Sequence, residues 1–214
     1  MAAPLHVAVL ASGEGTTFEG LVDALRPDAE RVRVVLLVAD RPGAPVLERA
    51  ERLGVPVLLL PSRGPESSGW SDRLTAELDR RGVGLVVLAG FLAFLPPSWV
   101  ERWRGRALNI HPSLLPRHGG RGMFGRHVHE AVIASGDRET GVTIHLVTGD
   151  LDSGPPVVQR RVAVDPNDTP DTLRARVHPV EVDLLAQTVR RFASGELPLP
   201  YPRAGERPDP ARRA

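Results

Sequence analysis

The sequence predicts an α/β fold in which a mostly parallel β-sheet carries helices on both faces. Short apolar runs alternate with amphipathic stretches through the first half of the chain, which is the order expected when helices connect successive strands. The runs are apolar at consecutive positions rather than at every second one, as in strands that are covered on both faces. Right-handed crossovers between such strands make this half Rossmann-like.

The first half is predicted to contain four strands with three helices between them. In the first helix, Phe18, Leu21, Val22 and Leu25 recur at helical spacing, so one face of this helix is expected to be buried. The strands are predicted over His6–Ala11, Val32–Val38, Val55–Leu60 and Val83–Ala89, and the helices over Thr17–Leu25, Ala44–Leu53 and Trp70–Arg81.

The second half is predicted to add antiparallel strands to the sheet, because a short connection joins its last two strands. We expect a short helix over Pro96–Trp103, a strand over Ala107–Ile110 and a polar glycine-rich loop over His111–Gly125. These are followed by a helix over His127–Ser135, two strands over Gly141–Val147 and Val157–Val164, and a long helix over Thr169–Phe192. We expect one domain over 1–194 with its two halves meeting near residue 104. Residues 195–214 are rich in Pro, Arg and Gly and are predicted to be a disordered tail.

The composition excludes several classes of function. A formal net charge of +1, from 27 basic and 26 acidic side chains, predicts neither a nucleic-acid nor a membrane partner. The absence of cysteine excludes disulfides and thiolate chemistry, and the absence of lysine excludes Schiff bases. The apolar runs are far shorter than the roughly 20 residues of a membrane span. The N-terminal stretch has no charged region typical of a signal peptide, so we expect a cytoplasmic protein.

A glycine-rich loop follows the first predicted strand. The segment SGEGTT places Gly13, Gly15, Thr16 and Thr17 before the first helix, where glycines, hydroxyl groups and the helix N-terminus suit a phosphate. The loop does not match a dinucleotide fingerprint, since Phe18 stands where a third glycine is needed, and it has no P-loop lysine. A structural turn with a threonine N-cap explains these residues equally well.

Polar residues interrupt the apolar pattern of the second half. In LNIHPSLLPR, Asn109 and His111 alternate at the end of an apolar strand, so both side chains are expected on one face, at the edge of the sheet where ligands bind. The loop VTGDLDSGPP supplies Asp150 or Asp152, and His145 on the preceding strand is expected to line the same cleft. Read singly, each residue has a structural explanation as a turn former or a buried polar group.

Together, an amide, an imidazole and a carboxylate suffice for acyl transfer to an amine by direct attack. The amide stabilises an oxyanion, the imidazole manages protons and the carboxylate holds the imidazole in its protonated form. A Ser–His–Asp hydrolase is the competing arrangement, but the chain has no G-x-S-x-G elbow around Ser12, Ser113 or Ser153.

Three motifs resemble those of the phosphoribosylglycinamide formyltransferase family of folate-dependent enzymes. AGFLAFLPP, NIHPSLLP and LDSGPP occur in this order after the SGEGTT loop, and the similarity runs from about His6 to Phe192. The resemblance implies a phosphate-binding half over about 1–104 and a catalytic, folate-binding half over about 105–194. It implies catalysis by Asn109, His111 and Asp152; ribonucleotide binding by Gly15, Thr16, Thr17, Phe18, Glu19 and Glu181; and folate binding by Leu92, Ala93, Phe94, Leu95, Asn109, Thr148, Gly149, Asp150 and Leu151.

The implied reaction moves a formyl group from 10-formyltetrahydrofolate, used as a co-substrate, to the amine of phosphoribosylglycinamide. No metal takes part. Asn109 would donate to the oxyanion, and His111, with its pKa raised by Asp152, would deliver a proton to the folate nitrogen. The implied partners are these two small molecules, and the implied assembly is a monomer or a homodimer. The chain departs from the family where many members carry Asn, at Glu14 and Thr17, and where an Arg is common, at Ala93.

Other folate formyltransferases share an Asn–His–Asp trio and remain alternatives: a formyltetrahydrofolate hydrolase, a methionyl-tRNA formyltransferase and a sugar-nucleotide formyltransferase. The hydrolase is expected to carry an N-terminal regulatory domain and the tRNA enzyme a C-terminal RNA-binding domain, and neither is expected from this sequence. A nucleotide-binding module without catalysis would keep the Gly13–Thr17 loop, but it would not need Asn109, His111 and Asp152 together. An inactive folate-binding relative is a further alternative.

Overall fold

The computed structural model describes residues 3–62 and 69–202. One seven-stranded sheet with the strand order β3-β2-β1-β4-β5-β6-β7 forms its centre. The strands are β1 Leu5–Ala11, β2 Val32–Ala39, β3 Val57–Leu59, β4 Val83–Leu88, β5 Ala107–His111, β6 Glu139–Leu146 and β7 Pro156–Ala163. The helices are α1 Thr16–Leu25, α2 Val46–Leu53, α3 Trp70–Arg80, α4 Pro97–Arg102, α5 Arg126–Ala134 and α6 Pro170–Ala193, with a 3₁₀ turn at Arg26–Asp28.

The first five strands are parallel, and all of them except the partly exposed edge strand β3 are largely buried on both faces. β1 pairs with β2 and β4, and β5 continues the parallel order beyond β4. Along β1, Val7 and Val9 face one apolar layer, whereas Ala8 and Leu10 face the other. The first layer contains residues of α1, α2, α5 and α6, and the second contains residues of α3 and α4. This arrangement confirms the predicted α/β fold with helices on both faces.

The last two strands are antiparallel, as predicted for the second half. β6 pairs antiparallel with both β5 and β7. β5 extends one residue further than expected and ends at His111, so this imidazole is carried by the strand and not by the loop after it.

The third strand is shorter than predicted. Only Val57–Leu59 is extended and paired, as an edge strand next to β2. Pro56 has no N–H to donate to a ladder, although its carbonyl oxygen accepts from the Leu37 N–H at 2.9 Å. The apolar run Val55–Leu60 therefore overstated the length of the strand.

The chain after α6 differs from the predicted disordered tail as far as residue 202. Leu197 is buried in the layer with α6, and Leu199 and Tyr201 pack against that layer. The Tyr201 N–H donates to the Gly105 carbonyl at 2.7 Å, and the Tyr201 ring meets Phe192 edge to face with centroids 6.0 Å apart. Apolar side chains among the prolines anchor this stretch. Residues 203–214 lie outside the described residues.

None of the helices in the described ranges is long and apolar enough to span a membrane.

Candidate active site

The candidate site lies along the carboxyl ends of β1, β4 and β5. The chain order reverses at β1, which lies between β2 and β4, and such a switch point opens a crevice at this edge of an α/β sheet. The loops that follow β1 and β4 are tied together there, because the Ser12 hydroxyl accepts from the Leu92 N–H at 2.8 Å and the Ser12 N–H donates to the Gly90 carbonyl at 3.1 Å. The glycine loop and the Leu92–Leu95 segment therefore form neighbouring walls.

The three side chains predicted to act together converge at the end of β5. Asn109 faces His145 on the paired strand β6, and Asp152 reaches both from the loop between β6 and β7. The Asn109 Nδ2 donates to Asp152 Oδ1 at 3.1 Å, and His111 Nδ1 lies 3.6 Å from Asp152 Oδ2. His145, expected in this cleft, lies in it with its Nε2 3.6 Å from Asp152 Oδ1.

The orientation of the Asn109 amide follows from its neighbours. A carboxylate can only accept, so the amide nitrogen faces Asp152. The same Nδ2 lies 3.0 Å from His145 Nε2. His145 Nδ1 donates to the Leu146 carbonyl at 2.9 Å, and the other ring nitrogen, Nε2, accepts from the amide. Both amide hydrogens of Asn109 are therefore engaged in this structure, one by a carboxylate and one by an imidazole.

Asp152 is held as a carboxylate in a strained backbone conformation. Its φ is +51°, a left-handed value that is uncommon outside glycine. The Gly120 N–H donates to Asp152 Oδ2 at 2.8 Å. Burial alone would raise the pKa of Asp152, but interactions with His145, His111 and the Gly120 N–H outweigh it, and the pKa is lowered. Asp152 is therefore ionised at neutral pH.

The pKa of His111 is shifted in the direction opposite to the predicted one. Its Nε2–H donates to the His118 carbonyl at 2.7 Å, and the residue is only 4% exposed. Burial lowers the pKa of His111, and the opposing charge of Asp152 and the hydrogen bond to His118 do not compensate. Asp152 raises the pKa of His111, as predicted, but desolvation is the larger effect, so the net pKa is lowered and not raised.

The glycine loop forms the N-terminus of α1, as predicted. Gly15 is the N-cap in a left-handed conformation, with φ +72°, and Thr16 and Thr17 begin the helix, whose first N–H groups have no partner within it. The Phe18 side chain is fully buried, so only its backbone faces the loop. The Glu19 carboxylate forms ion pairs with two arginines of α2, with Arg49 and, at 2.9 Å, with Arg52.

Two nitrogen-bearing side chains that the sequence analysis did not single out, Arg49 and His178, lie beside this loop. Arg49 Nε donates to the Glu14 carbonyl at 2.6 Å. On α6, the half-buried His178 interacts with the Thr16 backbone, and its pKa is lowered by burial and by the nearby Arg174 and Arg49. Arg49 and His178 come from helices distant in sequence, so no local motif indicates their position.

Glu181 lies one helical turn beyond His178. Burial raises the pKa of Glu181 to about 7, against the opposing charge of Arg174. A carboxyl group whose desolvation is larger than the effect of its charged neighbour is typical of a functional site.

Three of the residues expected to bind folate, Leu92, Phe94 and Leu151, are exposed large apolar side chains, which we name the apolar rim. Leu92, Phe94 and Leu151 are 40%, 74% and 71% exposed, which is unusual for large apolar side chains in one region. Ala93 and Leu95 are half-buried. In the loop from Thr148 to Asp152, Ser153 Oγ donates to the Asp150 carbonyl at 3.0 Å and lies 3.1 Å from Thr148 Oγ1, while Gly149 is exposed. Residues 63–68, between β3 and α3, lie outside the described residues.

Comparison with known proteins agrees with this geometry. The model of the formyl transferase family matches residues 5–189. The chain is 35% identical to phosphoribosylglycinamide formyltransferase of Escherichia coli over 90% of this chain and 89% of that protein. It is 39% identical to the trifunctional purine biosynthetic protein adenosine-3 of Drosophila melanogaster over 82% of this chain, which spans only 13% of that protein. Glycinamide ribonucleotide transformylase 1 of Symbiobacterium toebii superposes with a TM-score of 0.83 at 33% identity, covering 92% of both chains.

Proposed function

The chain belongs to the formyl transferase family, and we propose on this premise that it transfers the formyl group of 10-formyltetrahydrofolate to the amine of 5′-phosphoribosylglycinamide. The products are formylglycinamide ribonucleotide and tetrahydrofolate, as required for purine (IMP) synthesis. The observation that carries the proposal is the convergence of Asn109, His111 and Asp152 at the carboxyl end of β5, between a helix N-terminus suited to phosphate and an apolar rim suited to a pteridine.

Each substrate has a matching part of the site. The free N–H groups of Thr16, Thr17 and Phe18 at the start of α1 favour the ribonucleotide phosphate, and Gly15 allows the close approach. Glu19 supports this wall indirectly, because it holds Arg49. Glu181 is proposed to bind the ribonucleotide. Leu92, Ala93, Phe94 and Leu95, with Thr148, Gly149, Asp150 and Leu151, are proposed to surround the folate.

The reaction needs one stabilised charge and two proton movements. The amine nitrogen attacks the formyl carbon, and the carbonyl electrons move onto oxygen to give a tetrahedral oxyanion. The bond from carbon to the folate nitrogen N10 then breaks, N10 gains a proton and the former amine loses one. We assign these tasks to side chains of the converged trio and include no metal ion.

The observed hydrogen bonds constrain the role of each side chain. Because both amide hydrogens of Asn109 are engaged, one must move from His145 or Asp152 to the oxyanion as it forms. His111 has its Nε2–H on the His118 carbonyl, so Nδ1 is the edge that meets the substrates. A nearby oxyanion raises the pKa of an imidazole, which allows His111 to take a second proton from solvent water and pass it to N10, so that the ring is neutral again. Asp152, ionised beforehand, accepts the amine proton through water and afterwards releases it to the solvent.

The purified protein tests the proposal directly. It is incubated with 10-formyltetrahydrofolate, with and without phosphoribosylglycinamide, while tetrahydrofolate is followed by absorbance and the formylated ribonucleotide by mass spectrometry. We expect tetrahydrofolate to form only with the amine present, in equal amount to the formylated product. Formate release at the same rate without the amine would identify a formyltetrahydrofolate hydrolase and overturn the assignment.

We further propose that the protein works in the cytoplasm on these two small molecules, without nucleic acid, as a monomer or homodimer. Light scattering after size exclusion determines the assembly, with a mass near 23.1 kDa or twice that value as the expected results. A larger assembly would contradict this part of the proposal.

A further inference from the structure

The Nε2 edge of His111 is fixed by one backbone carbonyl. His111 Nε2 lies 2.7 Å from the carbonyl oxygen of His118, and a carbonyl can only accept. The neutral imidazole that satisfies this contact carries its hydrogen on Nε2, and Nδ1 then faces Asp152 as a free lone pair. The position of the His118 carbonyl therefore selects the tautomer of His111.

The same stretch of chain also contacts Asp152. The Gly120 N–H donates to Asp152 Oδ2 at 2.8 Å, and a Cβ added to Gly119 would lie 3.3 Å from Asp152 Cβ. Residues 118–120, which we name the 118–120 segment, thus contact the imidazole through one end and the carboxylate through the other. A small movement of this segment changes the geometry of both groups together.

The backbone of the 118–120 segment does not hold its shape through local preference. His118 has φ +54°, a left-handed conformation that is unfavourable for a residue with a Cβ and persists only where the surroundings impose it. The preceding turn is anchored elsewhere, since the Leu115 N–H donates to Thr143 Oγ1 at 3.1 Å and Ser113 Oγ donates to the Arg117 carbonyl at 2.6 Å. Neither contact reaches the His118 carbonyl.

The side chain of His118 supplies the missing anchor. Its Nε2 lies 2.7 Å from Asp137 Oδ2, and the two side chains are only 15% and 10% exposed. Asp137 stands at the junction between α5 and β6 and also pairs with Arg117. The hydrogen bond from His118 contributes most to the lowered pKa of Asp137. A fixed carboxylate at a helix–strand junction is a rigid point from which to hold a loop.

We propose that His118 and Asp137 are positioning residues for the formyl transfer, because their hydrogen bond holds the His118 carbonyl where it keeps the proton of His111 on Nε2 and presents Nδ1 to the reacting groups. The inference rests on the proposed function for its kinetic part only. The tautomer of His111 is a property of the protein by itself.

The first measurement uses the wild-type protein. Nitrogen-15 NMR of labelled histidine, at a pH above the pKa of His111, reports which ring nitrogen carries the hydrogen. His111→Gln identifies the resonances by their loss. We expect the Nε2–H tautomer, and the Nδ1–H tautomer would overturn the proposal whatever the variants do.

Two substitutions at position 118 separate the side-chain contact from the backbone conformation. Asparagine tolerates a left-handed φ but is too short to reach Asp137, whereas glutamine is long enough to donate to it. For His118→Asn we expect a mixed tautomer at His111, a kcat lowered by about 10- to 100-fold and a KM for both substrates within about twofold. For His118→Gln we expect the wild-type tautomer and a kcat within about threefold, since the contact is retained.

Matched variants complete the test. Asp137→Ala removes the contact from its other side and replaces His118→Asn if that variant does not fold. Glu139→Gln is the control, because it removes an exposed ion pair with Arg161 two positions from Asp137 without touching the loop, and it is expected to behave as wild type.

A folded His118→Asn or Asp137→Ala protein with the wild-type tautomer and kcat would overturn the proposal. A kcat of His118→Gln that is as low as that of His118→Asn would also overturn it. If wild type forms no formylated ribonucleotide, the proposed function fails, while the NMR result still decides the positioning role.

Discussion

At the scale of single residues, burial decides the protonation of His111, whereas hydrogen bonds and nearby charges decide that of Asp152. His111 is buried and its pKa is lowered despite the neighbouring carboxylate, whereas Asp152 keeps its charge because it accepts several hydrogen bonds. The site therefore holds a neutral imidazole beside an ionised carboxylate. We infer that His111 becomes protonated only when the reacting substrates add negative charge nearby and raise its pKa.

Replacement of Asn109 tests the oxyanion role directly. We expect Asn109→Ala to lower kcat by about 10²- to 10³-fold, the usual effect of losing one oxyanion donor, with little change in KM. Steady-state kinetics with both substrates measures this. The chain has one other asparagine, Asn167, which is exposed, so Asn167→Ala is a matched control expected to retain wild-type kinetics. An Asn109→Ala protein with turnover near wild type would remove this residue from the mechanism.

The buried carboxyl group of Glu181 is expected to reduce the stability of the folded protein, although the same group is proposed to bind the ribonucleotide. Its pKa is raised to about 7 by burial, above the ordinary value of about 4.3. Folding therefore becomes less favourable as pH rises through this interval, since the unfolded state releases the proton first. Glu181→Gln removes this cost, and we expect it to stabilise the protein by about 2 to 3 kcal/mol at pH 8, a melting temperature roughly 5–10 °C higher, with no gain below pH 4.

The same Glu181→Gln variant should bind the ribonucleotide more weakly, with KM raised about tenfold or more, because a charge-assisted hydrogen bond is lost. Thermal unfolding across pH, together with kinetics, measures both effects. Glu48→Gln, an exposed glutamate on α2, is the control. A stability gain that is equal at pH 4 and pH 8 would show that the ionisation of Glu181 is not its cause.

At the scale of elements, the site depends on close contact between α1 and α2. Gly15 adopts φ +72°, and a Cβ placed on it would lie 2.6 Å from Val46 Cβ at the start of α2. The Val46 N–H donates to the Gly13 carbonyl at 3.1 Å. The loop proposed to bind phosphate is thus packed directly on the next helix, which brings Arg49 beside it.

Gly15→Ala is expected to disturb this contact. The left-handed backbone and the clash together should destabilise the protein by about 2 to 4 kcal/mol and raise KM for the ribonucleotide more than KM for the folate. Gly43 has a similar φ of +76° with open space around it, so Gly43→Ala should show the backbone effect alone, about 1 kcal/mol. Chemical denaturation and kinetics distinguish the two. Equal destabilisation by both variants would mean that the contact with Val46 can relax freely.

At the scale of the whole molecule, the features predicted from sequence were those expressed in local patterns. The consecutive apolar residues of β1 and β4 predicted strands covered on both faces, and the alternation of Asn109 and His111 placed both at one edge of the sheet. Features that depend on distant parts of the chain were missed. Three such contacts form only when separate elements pack together: Arg49 with the glycine loop, the His118 carbonyl with His111, and Glu19 with the arginines of α2.

The composition of residues 195–202 is typical of a disordered end, so the sequence predicted disorder there. In the structure, the few apolar side chains of this segment pack against the layer with α6. A Cβ added to Gly105 would lie 2.5 Å from the Tyr201 carbonyl oxygen, so the segment sits directly on the backbone that leads into β5. It therefore joins the end of α6 to the amino end of the strand whose carboxyl end carries Asn109 and His111.

This connection predicts that Tyr201 stabilises the fold without taking part in the reaction. Tyr201→Ala removes the contact with Phe192 and should destabilise the protein by about 1 to 3 kcal/mol, less than for a fully buried aromatic ring because Tyr201 is only half-buried. Tyr201→Phe keeps the ring and should remain within about 0.5 kcal/mol of wild type. Both variants should keep the wild-type kcat per folded molecule, since the segment lies at the end of β5 opposite the site. Denaturant unfolding and active-site titration measure these quantities, and an alanine variant as stable as wild type would show that the packing of this segment adds nothing to the fold.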